Sequence, residues 1–268
     1  MILDKVIGEG LSELSKLSGV SYRVDNIILG KSIYTMKDCD KVFKDMNMCL
    51  LLLEKGYGFS YFQSEIDFDL AEKYVNHDLR EILNENVPLY LKVALADAIY
   101  SLLNNRIPKN KYRYLKGDLR AKACSRAREL VMSIPKKAKV VLLGAVTEII
   151  DECMKRDIQL SVLDLEPSKV GLNLNNKRVE NSESLFSEKI KTADYVIATG
   201  MIFVSDTADI LFEKCKSNSS KLILYMETGS NYGHSLLKFG AHKVLSEFFP
   251  FYDFHGETRY LLHEKNKS

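Results

Sequence analysis

Four short runs, "KVVLLG" from Lys139, "QLSVLDL" from Gln159, "ADYVIATG" from Ala193 and "KLILYME" from Lys221, alternate with stretches long enough to hold a helix. Each run is apolar on consecutive residues rather than on every second one. A strand with that pattern has two dry faces, which is the situation of a parallel sheet covered by helices on both sides. The intervening segments are long enough for right-handed crossovers. The second half of the chain is therefore expected to be α/β, and residues 135–268 are expected to form one domain.

Residues 1–134 follow a different pattern and are expected to form a smaller α+β domain. Leu3, Val6, Ile7, Leu11, Leu14 and Leu17 recur at helical spacing. "VSYRVDNIILGKSIYTM" is rich in β-formers, with a turn expected near Gly30. "MCLLLLEKGYGFSYF" reads as two strands joined at Lys55 to Gly58, so an antiparallel meander is expected. A stripe of Leu70, Tyr74, Val75, Leu79, Ile82 and Leu83 predicts one helix. "NVPLYLKVALADAIYSLLNN" predicts another, capped by Asn86 with Pro88 in its first turn. That segment is apolar nearly all round, so it is expected to be buried. A third helix is expected from about Asp118 to Ser133.

Composition narrows the class further. With 46% apolar residues a packed core is expected, and the net charge of +2 gives no general attraction to nucleic acid. The basic residues Arg113, Lys116, Arg120, Lys122, Arg126 and Arg128 read as the solvated face of a helix. Five cysteines, Cys39, Cys49, Cys124, Cys153 and Cys215, form no CxxC pair and suit a reducing compartment. "MILDKVIGEG" has no leader-like apolar stretch, and the run Met48 to Leu53 is far too short to span a bilayer. A cytoplasmic protein with no membrane and no nucleic-acid partner is expected.

In an open α/β sheet, ligands bind beyond the carboxyl ends of the strands where the strand order reverses. Those ends are Gly144-Ala145-Val146, Asp164-Leu165-Glu166, Thr199-Gly200-Met201 and Glu227-Thr228-Gly229-Ser230. The candidate ligand-binding residues are accordingly Gly144, Ala145, Asp164, Glu166, Thr199, Gly200, Met201, Glu227, Thr228, Gly229 and Ser230. Thr147 is placed to cap the helix after Gly144, whose amides attract negative charge. Asp164 follows Gly144 by twenty residues, the spacing at which a carboxylate receives ribose hydroxyls. "GAVTEI" lacks the second and third glycines of a dinucleotide fingerprint. Asp206 and Thr207 suit helix capping. The histidines His77, His234, His242, His255 and His263 fall into no zinc-type spacing. No nucleophile elbow, P-loop or Ser/His/Asp pattern is present.

"ADYVIATGMIFVSDTADILFEKCK" and "KLILYMETGSNYGHSLLKFGAHKVLSEFF" resemble the Rossmann-like domain of the putative heavy-metal chelation family. The shared features are a strand ending in Thr-Gly, a Thr heading the next helix, a small-residue loop after the following strand, and a later Gly, here Gly240. "VPLYLKVALADAIYSLLNN" looks like the helix that closes that family's enolase-N-terminal-like first domain. Thr199-Gly200-Met201 departs from the family's usual Thr-Gly-Ser/Thr, and Glu227-Thr228-Gly229-Ser230 stands where a proline-containing loop is common. The resemblance implies handling of a metal or metal chelate.

Two readings of the site stand open. In the first, a binding or metabolic protein holds a small anionic ligand or metal chelate in the cleft between the domains. In the second, an enzyme uses S-adenosylmethionine, or less readily a nicotinamide cofactor, over the same strand ends. The cofactor candidates are a divalent metal and S-adenosylmethionine. The aromatic tail Phe248, Phe249, Phe251, Tyr252 and Phe254 would cover a substrate, or form the interface of a homodimer.

Overall fold

The computed structural model describes residues 1–35, 42–250 and 256–265. Cys39, Phe251, Tyr252, Phe254 and His255 lie outside the described residues. Helix α1 (Ile2–Leu14) is followed by strands β1 (Val24–Thr35), β2 (Val42–Leu53) and β3 (Gly56–Phe62). These form a three-stranded antiparallel sheet in the order β1-β2-β3, as the meander pattern predicts. The turn expected at Gly30 is absent: β1 runs straight through, with Gly30 paired to Met48. The glycine instead makes room, because a Cβ there would meet Met48 Cε at 2.8 Å.

The stripe from Leu70 to Leu83 is two helices, α2 (Asp69–Tyr74) and α3 (Leu79–Leu83), not one. Asn76 takes a positive φ of 72° between them, and the Asp78 carboxylate caps α3 by accepting from Arg80 N–H. Helix α4 (Leu89–Asn104) is buried on all sides, as its composition requires. Pro88 is its N-cap, not a first-turn residue, and Asn86 does not cap it.

The chain then adds strand β4 (Arg113–Leu115) and helix α5 (Leu119–Val131), capped by the Asp118 carboxylate through Ala121 N–H at 2.8 Å. Next come β5 (Lys139–Leu143), α6 (Thr147–Lys155), β6 (Gln159–Asp164), β7 (Asn173–Leu174), β8 (Lys177–Asn181) and α7 (Ser182–Ile190). The rest is β9 (Tyr195–Thr199), α8 (Met201–Val204), α9 (Ala208–Ser217), β10 (Lys221–Met226), α10 (Leu236–Phe239), β11 (Lys243–Glu247) and β12 (Thr258–Glu264).

A nine-stranded sheet takes the order β4-β12-β11-β10-β9-β5-β6-β8-β7. Strands β11, β10, β9, β5, β6 and β8 are parallel, while β12, β4 and β7 run against their neighbours. The four apolar runs are thus the adjacent central strands, and the fold is mixed α/β. One face of this sheet packs on α5 and α6. The other belongs to an apolar cluster that continues through α8 and α9 into α4 and α1. Strand β4 and helix α5 lie within residues 1–134 yet are placed on the nine-stranded sheet. No helix among the described residues is long and apolar enough to cross a membrane.

Candidate functional site

The chain leaves β5 for β6 on one side and returns to β9 on the other. The strand order therefore reverses between β5 and β9, and the splayed connections open a crevice at their carboxyl ends. A cleft of about 960 Å³ lies there. Gly144, Ala145, Asp164, Glu166, Thr199, Gly200, Met201, Glu227 and Thr228 all line it, and Met46, Tyr61 and Gln63 close it from the three-stranded sheet. Gly229 and Ser230 do not reach it.

At the tip of β5, Gly144 adopts a φ of +96°, and its N–H donates to Leu163 O at 2.8 Å. The turn lets Ala145 N–H donate to Asp164 Oδ2 at 2.8 Å. The other oxygen, Oδ1, accepts from Glu166 N–H at 2.9 Å, and Lys169 Nζ stands 3.6 Å away from Oδ2. Asp164 is 7% exposed. Its carboxylate ties the β6 tip to the β5 tip, so a ribose diol would have to share oxygens that already hold two amides. Thr147 is the first residue of α6, whose N-cap is Val146 without a side-chain hydrogen bond. Glu166 accepts from Gln63 Nε2 at 3.1 Å across the mouth.

The β9 and β10 tips are packed for a different reason. A Cβ on Gly200 would fall 2.2 Å from Thr228 O, so the bare residue permits backbone-to-backbone approach. Thr228 Oγ1 accepts from Tyr61 N–H at 3.0 Å, and Gly229 N–H donates to Phe59 O at 3.1 Å. The loop after β10 therefore docks on the edge of β3. Ser230 is buried and turned away from the cleft, and its hydroxyl has no partner among the described residues.

One wall carries a buried charged network whose pairing the sequence pattern does not announce. Arg126 Nη1 donates to Glu227 Oε1 at 3.0 Å and to Glu247 Oε2. The Tyr225 hydroxyl bonds Glu227 Oε1 and, at 3.2 Å, Glu247 Oε2, with the guanidinium 4.8 Å from its ring centre. Thr258 Oγ1 donates to Glu247 Oε1 at 2.9 Å. Burial raises the Glu227 carboxyl above its ordinary range; Arg126 opposes this and Glu247 adds to it. Burial raises the Tyr225 phenol well above its usual value. Burial alone would lower Arg126, but Tyr225, Glu247 and Glu227 outweigh it and hold the guanidinium charged. The expectation that the basic run is a solvated helix face is corrected here, since Arg126 turns inward and Lys122 is 1% exposed. The signal was spacing: Lys122 and Arg126 share a face with Leu119, Ala123, Ala127 and Leu130 more closely than with Arg120 and Arg128.

Taken together, the cleft presents the carboxylates of Glu148, Asp164, Glu166, Glu183 and Glu227 against Arg126 and Lys169. Among the described residues no three His, Cys, Asp or Glu side chains come together as a metal-ion group. Among the described residues, then, the donor set does not fit a bare metal ion.

No curated protein matches the chain in sequence. The structure resembles that of a protein of unknown function from the DUF364 family of Desulfitobacterium hafniense, at a TM-score of 0.62 and 13% identity, covering 98% of this chain and 97% of that one. A DUF364-family protein of unknown function from Pyrococcus horikoshii gives a TM-score of 0.58 at 10% identity, covering 99% and 100%. At these identities the likeness is one of fold. From α5 to β10, residues 126–225, the chain matches the family model of DUF364, putative heavy-metal chelation, the family its strand-end sequences resemble.

Proposed function

We propose that the chain is a binding protein for a small, positively charged ligand, a metal chelate or an organic cation, held at the carboxyl tips of β5, β6 and β9. The observation that carries this reading is the charge of the cleft: even without Glu227, the carboxylates of Glu148, Asp164, Glu166 and Glu183 outnumber Arg126 and Lys169. A site with an excess of one sign of charge between low-dielectric walls concentrates the opposite sign. Of the two ligands expected from sequence, an anion and a metal chelate, the chelate is favoured. An anion approaching α6 would meet Glu148 in its first turn and Asp164 beside it. The size suits a small molecule, and the lack of a three-residue metal group favours a metal that arrives with its own chelator over a bare ion. The chelation role after which the matched family is named points the same way. Exposed Leu165 and Ile210 at the cleft, with Met201 and Phe186, would cover the ligand's apolar parts.

A second reading keeps S-adenosylmethionine, a cation whose ribose would approach Asp164 at the tip of β6. The position favours it, and the two amides already on that carboxylate count against it.

Thermal shift separates these readings. The probes are nickel(II) alone, nickel(II) in a neutral polyamine, nickel(II)–EDTA and S-adenosylmethionine. A ligand at a hundred times its Kd adds about 2.7 kcal/mol to stability. The cationic nickel–polyamine complex is expected to raise the melting temperature, and bare nickel and the anionic EDTA complex are not. Stabilisation by the EDTA complex alone would overturn the charge argument. Stabilisation by S-adenosylmethionine that disappears in Asp164→Ala would establish the second reading.

A further inference from the structure

We infer that Glu227 is a proton-holding group of the cleft, protonated at neutral pH, and that it donates this proton to a bound small molecule with a basic atom. The inference rests on the cleft being the ligand site. Its starting point is the charge count of the buried network. Glu227 and Glu247 share one cation, Arg126, through a single nitrogen, Nη1. Both also approach a single neutral hydroxyl, that of Tyr225. Two carboxylates facing one guanidinium leave an uncompensated buried negative charge, and like charges at this range do not both ionise readily.

Hydrogen bonding decides which of the two takes the proton. Glu247 is 0% exposed, and donors meet both of its oxygens: Thr258 on Oε1 and Arg126 on Oε2. Neither of its oxygens is left without a donor. Glu227 receives its bonds on Oε1 alone. Its Oε2 accepts nothing among the described residues, and its side chain is 22% exposed on the cleft side. A proton on Oε2 would therefore be available to a ligand. Glu227 is faced by Arg126 from α5, Tyr225 from its own strand and Glu247 from β11, with Thr258 of β12 behind. Asp164, Glu166 and Lys169 line the same cleft. The effect of burial on Glu227, reinforced by Glu247, runs in the same direction.

The transfer balances without another reactant. The Glu227 O–H bond breaks and a bond from the proton to the ligand's basic atom forms. The carboxylate left behind keeps its hydrogen bond to Arg126, and the new positive charge on the ligand offsets the extra negative charge on the wall. Suitable ligands are neutral organic bases and the donor atom of a chelator that has released its metal. Coupled proton sharing of this kind belongs to the pair of glutamates as a unit.

Infrared spectroscopy of the ligand-free protein at pH 7 tests this directly. A protonated-carboxyl band from Glu227, about one group per chain, is expected beside that of the partly protonated Asp97, shifting in heavy water. It should vanish in Glu227→Gln. It should also vanish in Glu247→Gln, because the remaining carboxylate then has Arg126 to itself and ionises. A band arising from the other buried acid, Asp97, would survive both substitutions, and Asp97→Asn identifies it. Imidazole, part of which is the neutral base at pH 7, is then titrated into wild type, and the Glu227 band should fall as the bound base takes the proton. No band, or one that a folded Glu227→Gln variant leaves undiminished once the Asp97 contribution has been subtracted, would overturn the inference. So would a Glu227 band that imidazole leaves at full height. The cation preference of the cleft is read separately from the nickel complexes, so failure of one leaves the other standing.

Discussion

The turns after β5 and β10 begin alike and end in different employment. Each follows a buried parallel strand, and each contains a left-handed glycine, Gly144 at φ +96° and Gly229 at φ +69°. Hydroxyl residues and a helical segment follow in both cases. Among the described residues the Gly144 turn bonds within its own sheet, through Leu163 O and the Asp164 carboxylate, and leaves a surface open to the cleft. The Gly229 turn is held by the other part of the molecule. Besides Tyr61 and Phe59, it meets the buried Asp97 carboxylate of α4, which accepts from Asn231 N–H at 2.6 Å, Asn231 Nδ2 at 2.9 Å and Phe59 N–H at 2.9 Å. Asn104 Nδ2 donates to Asn231 O at 2.8 Å. A glycine and a hydroxyl at a strand end mark a place where something must approach the backbone closely. They do not say whether it is a ligand or another strand.

The largest test of this contrast sets Asp97 against Asp164. Asp97→Ala leaves three N–H donors buried without an acceptor, and at 1–3 kcal/mol each, partly relieved by relaxation, the loss should exceed about 3 kcal/mol in urea unfolding. Asp164→Ala frees two amides at an open cleft, where water replaces the carboxylate, and should cost about 1 kcal/mol. Equal losses would break the distinction between a docked and an open turn. Asp97 also has a pH signature. Burial raises its carboxyl to about 7, against the opposing pull of Asn231 and Phe59. Its folded-state value then lies above the unfolded one of 3.8. The folded state binds the extra proton between them, so its contribution is full at low pH and is lost as pH rises toward 7. Wild type measured relative to Asp97→Asn should therefore lose stability across that window, and a flat difference would contradict it.

The glycines give the next test. At Gly229 a Cβ would lie 2.2 Å from Tyr232 Oη, and that ring is fully buried. Gly229→Ala combines overpacking with a left-handed backbone and should cost about 3 kcal/mol. At Gly144 the nearest atom is Thr199 Cγ2 at 3.8 Å, so Gly144→Ala suffers the backbone term alone, about 1 kcal/mol. Thr228→Val should fall between them, about 2 kcal/mol, because Tyr61 N–H loses its acceptor. Thr228→Ser, which keeps the hydroxyl, should recover most of that loss. Chemical denaturation of the four variants ranks them.

The sheet was legible for a physical reason that also limits what else could be read. Strands β5, β6, β9 and β10 are dry on both faces, and nothing but an apolar run survives there. Strand β8, "KRVEN", needs only Val179 inward at its short contact with β6, so it leaves no run to detect. Asp164, Thr199 and Gly200 line the cleft, and sequence points to them as candidates because strand order alone directs attention to strand ends. Arg126, Tyr225 and Glu247 are not so marked, because a buried ion pair across 121 residues has no local pattern. The docking of Thr228 and Gly229 escapes for a further reason: its partners are backbone atoms of Phe59 and Tyr61, which every sequence possesses. The closing of the cleft by Tyr61 and Gln63 is therefore a property of how the two sheets meet and not of any motif.

The smallest expected effect is also the one closest to function. Gln63 Nε2 donates to Glu166 Oε2 at 3.1 Å, the side-chain bond that spans from the three-stranded sheet to the β6 tip. Both residues are partly or fully exposed, so an exposed polar bond of this kind exchanges readily with water. Gln63→Ala should change stability by less than about 0.5 kcal/mol. The same substitution withdraws the amide from Glu166 and returns one carboxylate oxygen to the cleft mouth, increasing the negative field that a cation meets. The nickel–polyamine complex should bind about twofold more tightly, since about 0.4 kcal/mol corresponds to that factor. Isothermal titration measures the affinity and urea unfolding the stability on the same preparation. A large loss of stability would show that Gln63 docks the sheets as Thr228 does. Weaker binding of the cation would show that Gln63 itself faces the ligand and that the open side of the cleft extends onto the smaller sheet.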